Sequence, residues 1–218
     1  VMKVYPTKSL RNVALISHQG AGKTSLAEAM LFNNGVLTRT GTVEQGTTVS
    51  DYDEEERRRG LSLNTSLIPL EVNNLKLNIL DTPGYTDFQG EVKNALMVSD
   101  CAVLLVDASA GVEVGAEVYW GFADEFELPR LVLINKMDRE NVRPEAVLDE
   151  LNTIFDARFV PVQLPIVEGG SFAGVVDLLS MKAWRGADAK PADVPGDYAD
   201  AAEEARFSLI EAAAESDD

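Results

Sequence analysis

Four short apolar runs, VALI (13–16), LKLNIL (75–80), CAVLLV (101–106) and RLVLIN (130–135), alternate with helix-like stretches at Ser25 to Phe32, Glu91 to Val98, Val114 to Phe126 and Pro144 to Phe155. Runs of that length without polar alternation read as strands buried on both faces, and a helix between successive strands makes the pairing parallel. The pattern predicts an α/β fold, a mostly parallel sheet with helices on both faces. Pro144 suits a first helical turn, where its missing N–H costs nothing. LIPLEV (67–72) lies two residues before LKLNIL, and Asn73 and Asn74 between them predict an antiparallel hairpin.

Two regions break the alternation. Residues 37–66 are rich in Thr, Gly and charge and too long for an ordinary connection, which marks a functional or disordered loop. Within it Asp53, Glu54 and Glu55 precede Arg57, Arg58 and Arg59 by four residues each, the favourable order for helical ion pairs. This predicts a solvated, transiently helical face, with a contact surface as the alternative. After Val160 come PVQLPIVEGGSFAGVVDLLSMKAW, a stretch biased to Pro, Ala and Asp near 187–202, and a helix-like AAEEARFSLIEAAAE. The 218 residues thus divide into a domain over 1–164 and a second, incomplete unit over 165–218.

Acidic residues outnumber basic ones 36 to 19, a net charge of -17, and such a field repels phosphate backbones, so no direct nucleic-acid binding is expected. One cysteine, Cys101, excludes an internal disulfide. No apolar run resembles a signal peptide or a membrane helix, and the expectation is a cytoplasmic, monomeric protein.

Three motifs carry chemistry. Strand VALIS runs into HQGAGKTS and then a helix, so Gly20, Ala21, Gly22, Lys23 and Thr24 sit where backbone N–H groups and the helix dipole meet an anion. Lys23 can reach β and γ phosphates, and Thr24 can offer its hydroxyl to Mg²⁺. Ser17 stands where the usual phosphate-loop pattern has Gly, and a bare G-K-[ST] arises by chance in roughly one chain in ten of this length. DTPG (81–84) ends strand LKLNIL: Asp81 can hold Mg²⁺ through water, and the Gly84 N–H can reach a γ-phosphate. NKMD (135–138) ends strand RLVLIN, where a carboxylate such as Asp138 can accept from both N1–H and the amine of guanine, a donor pair adenine lacks. Separately each could be turn or capping chemistry. All three in order, at the C-terminal ends of parallel strands, have a chance probability on the order of one in a million. Ligands of open α/β sheets bind at that edge.

With these motifs the chain resembles the GTP-binding domain of translational GTPases, and more narrowly that of elongation factor G. The likeness rests on the loop Ser17 to Thr24, on Arg59, Gly60, Leu61 and Ser62 in place of an RGIT segment, on Asp81 to Phe88 in place of DTPGxxDF, and on NKMD. QLPI (163–166) and FAGVVDLLSMKAW (172–184) resemble the start of an insert that elongation factor G carries within this domain. The resemblance implies a P-loop GTPase fold with part of an inserted subdomain, GTP or GDP and Mg²⁺ as cofactors, and the ribosome as partner, met mainly through regions outside this chain. It implies nucleotide contacts from Ser17, His18, Gln19, Gly20, Ala21, Gly22, Lys23, Thr24 and Ser25, from Asp81, Thr82, Pro83, Gly84 and Tyr85, and from Asn135, Lys136, Met137 and Asp138. Metal ligation falls to Thr24, Ser62 and Asp81, and catalysis to Lys23, Gly84 and the residue at position 85. Relatives also have a further strand, a last helix and a guanine-closing Ser-Ala segment. None is found before Asp218, so the domain is expected to lack its last strand and helix and to bind nucleotide poorly in isolation.

Position 85 departs from the family, whose histidine there positions the attacking water. A phenol of pKa near ~10 cannot become a cation at neutral pH, and losing a positioned acid/base group costs about 10² to 10⁴ in rate, or ~3 to 5 kcal/mol. A slow GTPase, an adequate substitution by Tyr85 and a regulatory GTP-binding switch with negligible turnover all stay open, as does a ribosome-protection or release-type relative. Gln19, in place of an apolar residue, is expected to flank the water site with Tyr85. His18 is expected to be structural, as are Cys101, Trp120 and Trp184.

Overall fold

A computed structural model describes residues 3–140, 142–186 and 190–216. The chain forms two compact units, Val1–Lys136 and Met137–Asp218. The first holds β1 (Leu10–Ile16), α1 (Lys23–Asn33), α2 (Glu54–Arg59), β2 (Ser66–Val72), β3 (Leu75–Asp81), α3 (Gln89–Met97), β4 (Cys101–Asp107), α4 (Val114–Glu125) and β5 (Arg130–Asn135). Its sheet runs β2-β3-β1-β4-β5, with β1 parallel to β3 and β4, β4 parallel to β5, and β2 antiparallel to β3. This is the expected α/β, P-loop GTPase arrangement.

Successive strand residues point to opposite faces, and Ala14, Leu15 and Ile16 are all fully buried, so both faces of β1 are covered. Leu15, Leu105, Ile79, Ile68 and Leu70 from the sheet pack with Ala27 and Leu31 of α1. The start of β1, Leu10 to Asn12, is interrupted by the polar Arg11 and Asn12 and escapes an apolar-run criterion. It is fixed by side chains instead: Asn12 N–H donates to Asp100 at 2.7 Å, its amide nitrogen donates to the Val98 carbonyl at 2.8 Å, and its amide oxygen accepts from Asn78 at 2.8 Å. The β2–β3 hairpin turns through Asn73 and Asn74, whose φ of 50° and 65° give the left-handed pair that matches strand twist.

The long segment 37–66 is more ordered than its composition predicts. α2 carries a full capping box: Asp53 accepts from Glu55 N–H, and Glu56 reaches back to Asp53 N–H. Of the expected ion pairs, the described residues show Glu55 with Arg59; Arg58 turns to Glu55 as well, three residues back, while Asp53 is spent as the cap and Arg57 donates to the Asp51 carbonyl. The face is not simply solvated. Glu56, Thr48, Ser50 and Asp51 are buried; the side chains of Glu56, Thr48 and Asp51 have polar partners within the segment, and the Ser50 carbonyl accepts from Ser66 Oγ. Cys101 is only half-buried, since it opens β4 at the sheet's N-terminal edge, and Trp120 packs under the Arg130 guanidinium at 4.0 Å.

The second unit holds α5 (Pro144–Ile154), β6 (Gln163–Glu168), β7 (Ser171–Asp177), β8 (Lys182–Arg185), β9 (Lys190–Ala192) and α6 (Gly196–Ser216). The four strands form an antiparallel sheet in chain order, as an inserted subdomain would. Ile166, Val176, Leu178 and Ala183 make a core with Ala202 of α6, and Tyr198 and Leu209 pack against it. The 164/165 boundary read from the sequence falls inside β6, where Gln163 and Leu164 already pair with Asp177 and Val176 of β7. A cut there would break a strand ladder, and the compact division instead follows Lys136. Residues 187–189 of the Pro, Ala and Asp-rich stretch lie outside the described residues. Among the described residues no helix is long and apolar enough to cross a membrane.

Candidate functional site

The loop between β1 and α1 crosses the C-terminal edge of the parallel sheet. Gly22, at φ 104°, caps α1, and a Cβ there would stand 2.4 Å from Asn135 Nδ2, so no other residue fits. Asn135 Nδ2 donates to the Ala21 carbonyl at 2.8 Å, and Lys136 Nζ donates to the Gly20 carbonyl at 2.5 Å. Lys136 itself has φ 60°, uncommon for a long side chain and typical of functional turns. Both carbonyls are thus engaged by the end of β5. The first N–H groups of α1, which have no acceptor within the helix, stay available to an anion.

Lys23 is buried, and its Nζ donates to Ser17 Oγ at 2.8 Å and to the Ser17 carbonyl at 3.3 Å. Burial lowers its pKa to about 8, with Asp81 opposing the shift. Ser17, anomalous in a phosphate loop, therefore supplies a resting partner for the lysine. His18 is not a free base: Nδ1 accepts from Gly115 N–H at 3.3 Å and Nε2 lies 3.5 Å from Glu113, so it ties the loop to the start of α4.

Beside Lys23 is a set of oxygen donors. Thr24 Oγ1 donates to Asp81 Oδ2 at 2.9 Å and lies 3.5 Å from Ser62 Oγ. Ser62 Oγ donates to Asp51 Oδ1 at 2.7 Å, and Thr48 Oγ1 donates to Asp51 Oδ2 at 3.2 Å. Burial pushes the Asp81 carboxyl up, the Lys23 charge and the Thr24 hydroxyl oppose this, and Asp51 adds repulsion. Among the described residues Asp81 Oδ1 and Ser50 Oγ are both buried with no hydrogen-bond partner, an arrangement that costs about 1–3 kcal/mol for the carboxylate oxygen unless a donor or a cation completes it. Hydroxyls and carboxylates with one acceptor unspent fit a hard divalent cation such as Mg²⁺.

Asp81 begins the DTPG turn. Thr82 Oγ1 donates to the Leu15 carbonyl at 2.7 Å, Pro83 is buried, and Gly84 lies so close to the loop that a Cβ would be 2.7 Å from Gln19 Cα and 2.8 Å from Lys23 Nζ. Tyr85 follows with 38 % of its surface exposed, and its hydroxyl bonds to none of the described residues. A cleft of about 410 Å³ is lined by Gln19, Gly20, Gly22, Lys23, Thr24, Ser25, Asp51, Ser62, Thr82, Gly84 and Tyr85. The fold brings together nearly all of the residues marked in the first unit. Met137 and Asp138 open the second unit.

Three residues of this neighbourhood carry no motif. Asp51 bridges Ser62 and Thr48. Asp107 closes β4 and accepts from Lys136 Nζ at 2.8 Å through Oδ2 and from Ser109 N–H and Oγ through Oδ1. Burial alone would raise its pKa, but Lys136 and Ser109 outweigh that and take it down to about 2. An aspartate ending a parallel strand is the signal that marked Asp81, and it would have found Asp107 too. The third, Glu28, lies on α1 and holds two backbone N–H groups of the 37–66 segment.

The family described as the elongation factor Tu GTP binding domain matches residues 8–214. The chain belongs to that family. It is accordingly a translational-GTPase GTP-binding domain, and family members are GTPases that bind GTP or GDP with Mg²⁺. This GTP-binding domain is also similar to the crystal structure of a protein from Thermus thermophilus, with 37% sequence identity and a TM-score of 0.89. The match covers 95% of this chain and 32% of the Thermus protein, so the domain spans about a third of that relative.

Proposed function

We propose that the chain is the GTP-binding, GTP-hydrolysing domain of an elongation factor G-like translation factor that acts on the ribosome. The observation that carries the reading is the convergence of Lys23, Thr24, Ser62 and Gly84 on one cleft at the sheet edge, with Asp81 behind it accepting from Thr24 and with Asn135 and Lys136 clasping the loop that would hold the phosphates. Lys23 leaves Ser17 to meet the β and γ phosphates. The α1 N-terminus binds the β-phosphate, and Gly84 N–H meets the γ-phosphate. Thr24 and Ser62 would hold Mg²⁺, with Asp81 and Asp51 placed to fix its waters. Bound there, the ion neutralises phosphate charge and supports attack on the γ-phosphate. Asp138 accepts from the guanine N1–H and amine, so Asp138→Asn is expected to shift preference toward xanthine nucleotides.

Tyr85 can hydrogen-bond the attacking water but cannot supply an imidazolium charge, and hydrolysis is expected to be slow without the ribosome. Gln19 and Tyr85 line the same cleft, consistent with a polar pair flanking that water. A GTP-analogue complex with the two side chains more than ~7 Å apart would remove the pair from the mechanism. The second reading is a GTP-dependent binding switch with negligible turnover, favoured by a Tyr85 hydroxyl that no described residue holds in place. Multiple-turnover GTP hydrolysis, with and without ribosomes, beside Tyr85→His, separates the two. Ribosome stimulation of the unmodified protein supports the enzyme. No stimulation supports the switch, and rescue by histidine places the defect at the water site.

A further inference from the structure

Among the described residues, the 37–52 stretch meets the rest of its unit at few points. Leu37 packs on the core at one end, and the Ser50 carbonyl accepts from Ser66 Oγ at 2.6 Å at the other. Between these ends the loop stands around a cavity of about 380 Å³ bordered by Glu28, Leu37, Arg39, Gly41, Thr47 and Val49. The bonds Gly46 N–H to Val43 and Thr47 N–H to Thr42 are internal to the loop and do not attach it to anything. Near the far end Asp51 is also held, by Arg57 Nε on its carbonyl and by Ser62 Oγ on its carboxylate, and the side chain that holds the part between is Glu28. The residue is 2 % exposed, its Oε2 accepts from Gly41 N–H at 2.8 Å, and its Oε1 accepts from Val49 N–H at 2.5 Å. No ion pair engages it among the described residues.

The placement is specific. Glu28 is four residues after Thr24 on α1, hence on the same helix face. Val49 is two residues before Asp51, whose carboxylate takes the Ser62 hydroxyl, and Ser62 faces Thr24. A closed path therefore runs from Thr24 along α1 to Glu28, across to Val49, and through Asp51 and Ser62 back to Thr24. We infer that Glu28 is a positioning residue: its two bonds hold the 41–51 loop where Asp51 and Ser62 complete the cation-binding edge of the nucleotide site. This rests on the reading of the cleft as a GTP and Mg²⁺ site. Only a carboxylate serves, because both N–H groups are donors and both oxygens must accept. An amide satisfies one and turns its own NH₂ against the other.

The test compares the unmodified protein with Glu28→Gln and Glu28→Ala. A fluorescent GDP is bound with MgCl₂ varied and again in EDTA, and trypsin cleavage after Arg39 is timed without nucleotide. Losing one or both charged-acceptor bonds should raise the half-saturating Mg²⁺ concentration about 10-fold for Gln and up to about 100-fold for Ala. Affinity in EDTA should stay within about 2-fold, which also shows that the variants fold, and Arg39 should be cut about 10-fold faster. Unchanged Mg²⁺ dependence overturns the inference. So does a loss of EDTA affinity equal to the loss in Mg²⁺, which would make Glu28 a residue of the phosphate-loop helix alone. If the unmodified protein binds no guanine nucleotide, the functional reading fails and the Arg39 arm decides Glu28 by itself: faster cleavage supports the tether, unchanged cleavage overturns it.

Discussion

Replacing Asp107 by alanine removes the carboxylate that joins β4 to Lys136 and the phosphate loop. Its pKa lies at about 2 against an ordinary 3.8, a difference equivalent to about 2 kcal/mol of stabilisation of the charged form. The pair is partly open to solvent, with 24% of the Lys136 side chain exposed, and solvent screening reduces that to about 1–2 kcal/mol. Deletion also strips Ser109 N–H and Oγ of their acceptor, adding about 1 kcal/mol. The expected loss of unfolding free energy is therefore about 2–3 kcal/mol at pH 7. The folded pKa is depressed, so the ionic part is fully present above the unfolded value and is lost as pH falls through the folded one. The gap between Asp107→Ala and the unmodified protein should narrow between about pH 4 and 2. Asp107→Asn, which can still accept from Ser109, should lose about half as much. Urea denaturation followed by circular dichroism at pH 7, 4 and 3 measures this. A loss below about 0.5 kcal/mol at pH 7, or a gap that does not shrink toward pH 3, would refute the reasoning.

Gly84→Ala places a Cβ 2.7 Å from Gln19 Cα and 2.8 Å from Lys23 Nζ, so the DTPG turn must leave the loop; single-turnover GTP hydrolysis should fall at least about 10-fold while GDP affinity changes by less than about 3-fold. Lys23, held at about 8 by burial, should take up roughly half a proton when nucleotide binds at pH 8, and calorimetry in buffers of different ionisation enthalpy should show it; zero uptake would mean that the phosphates do not meet Lys23. Asn74→Gly, at φ 65°, should raise stability by about 0.5 kcal/mol in thermal unfolding.

Contiguous, local information made much of the fold and site legible. The four apolar runs became β1, β3, β4 and β5, and the helix-like stretches became α1, α3, α4 and α5, with ends shifted by a residue or two and β1 extended by its polar start. The hairpin followed from two asparagines, because left-handed φ at both turn positions is a property of the residue type. The phosphate-loop, DTPG and NKMD segments could be picked out for a related reason: each is short and contiguous, and its geometry is set by its own backbone, as at Gly22 and Gly84.

Distant polar pairs were not legible. Glu28 binds N–H groups 13 and 21 residues away, Asp107 meets Lys136 after 29, and Asp51 reaches Ser62 after 11. A carboxylate in sequence shows no period and no preference for one partner over another, and a charge-rich loop reads as solvated. Whether such a group is buried, and against which donor, depends on what the sheet and α1 bring beside it. The sequence alone determined the strand order's raw material, the hairpin and the phosphate, DTPG and NKMD segments. Only the tertiary structure decided that Glu28 takes the Gly41 and Val49 N–H groups, and that Asp51 meets Ser62 and Asp107 meets Lys136, because burial turns an ordinary surface acid into one that must be matched, donor by donor, by its neighbours.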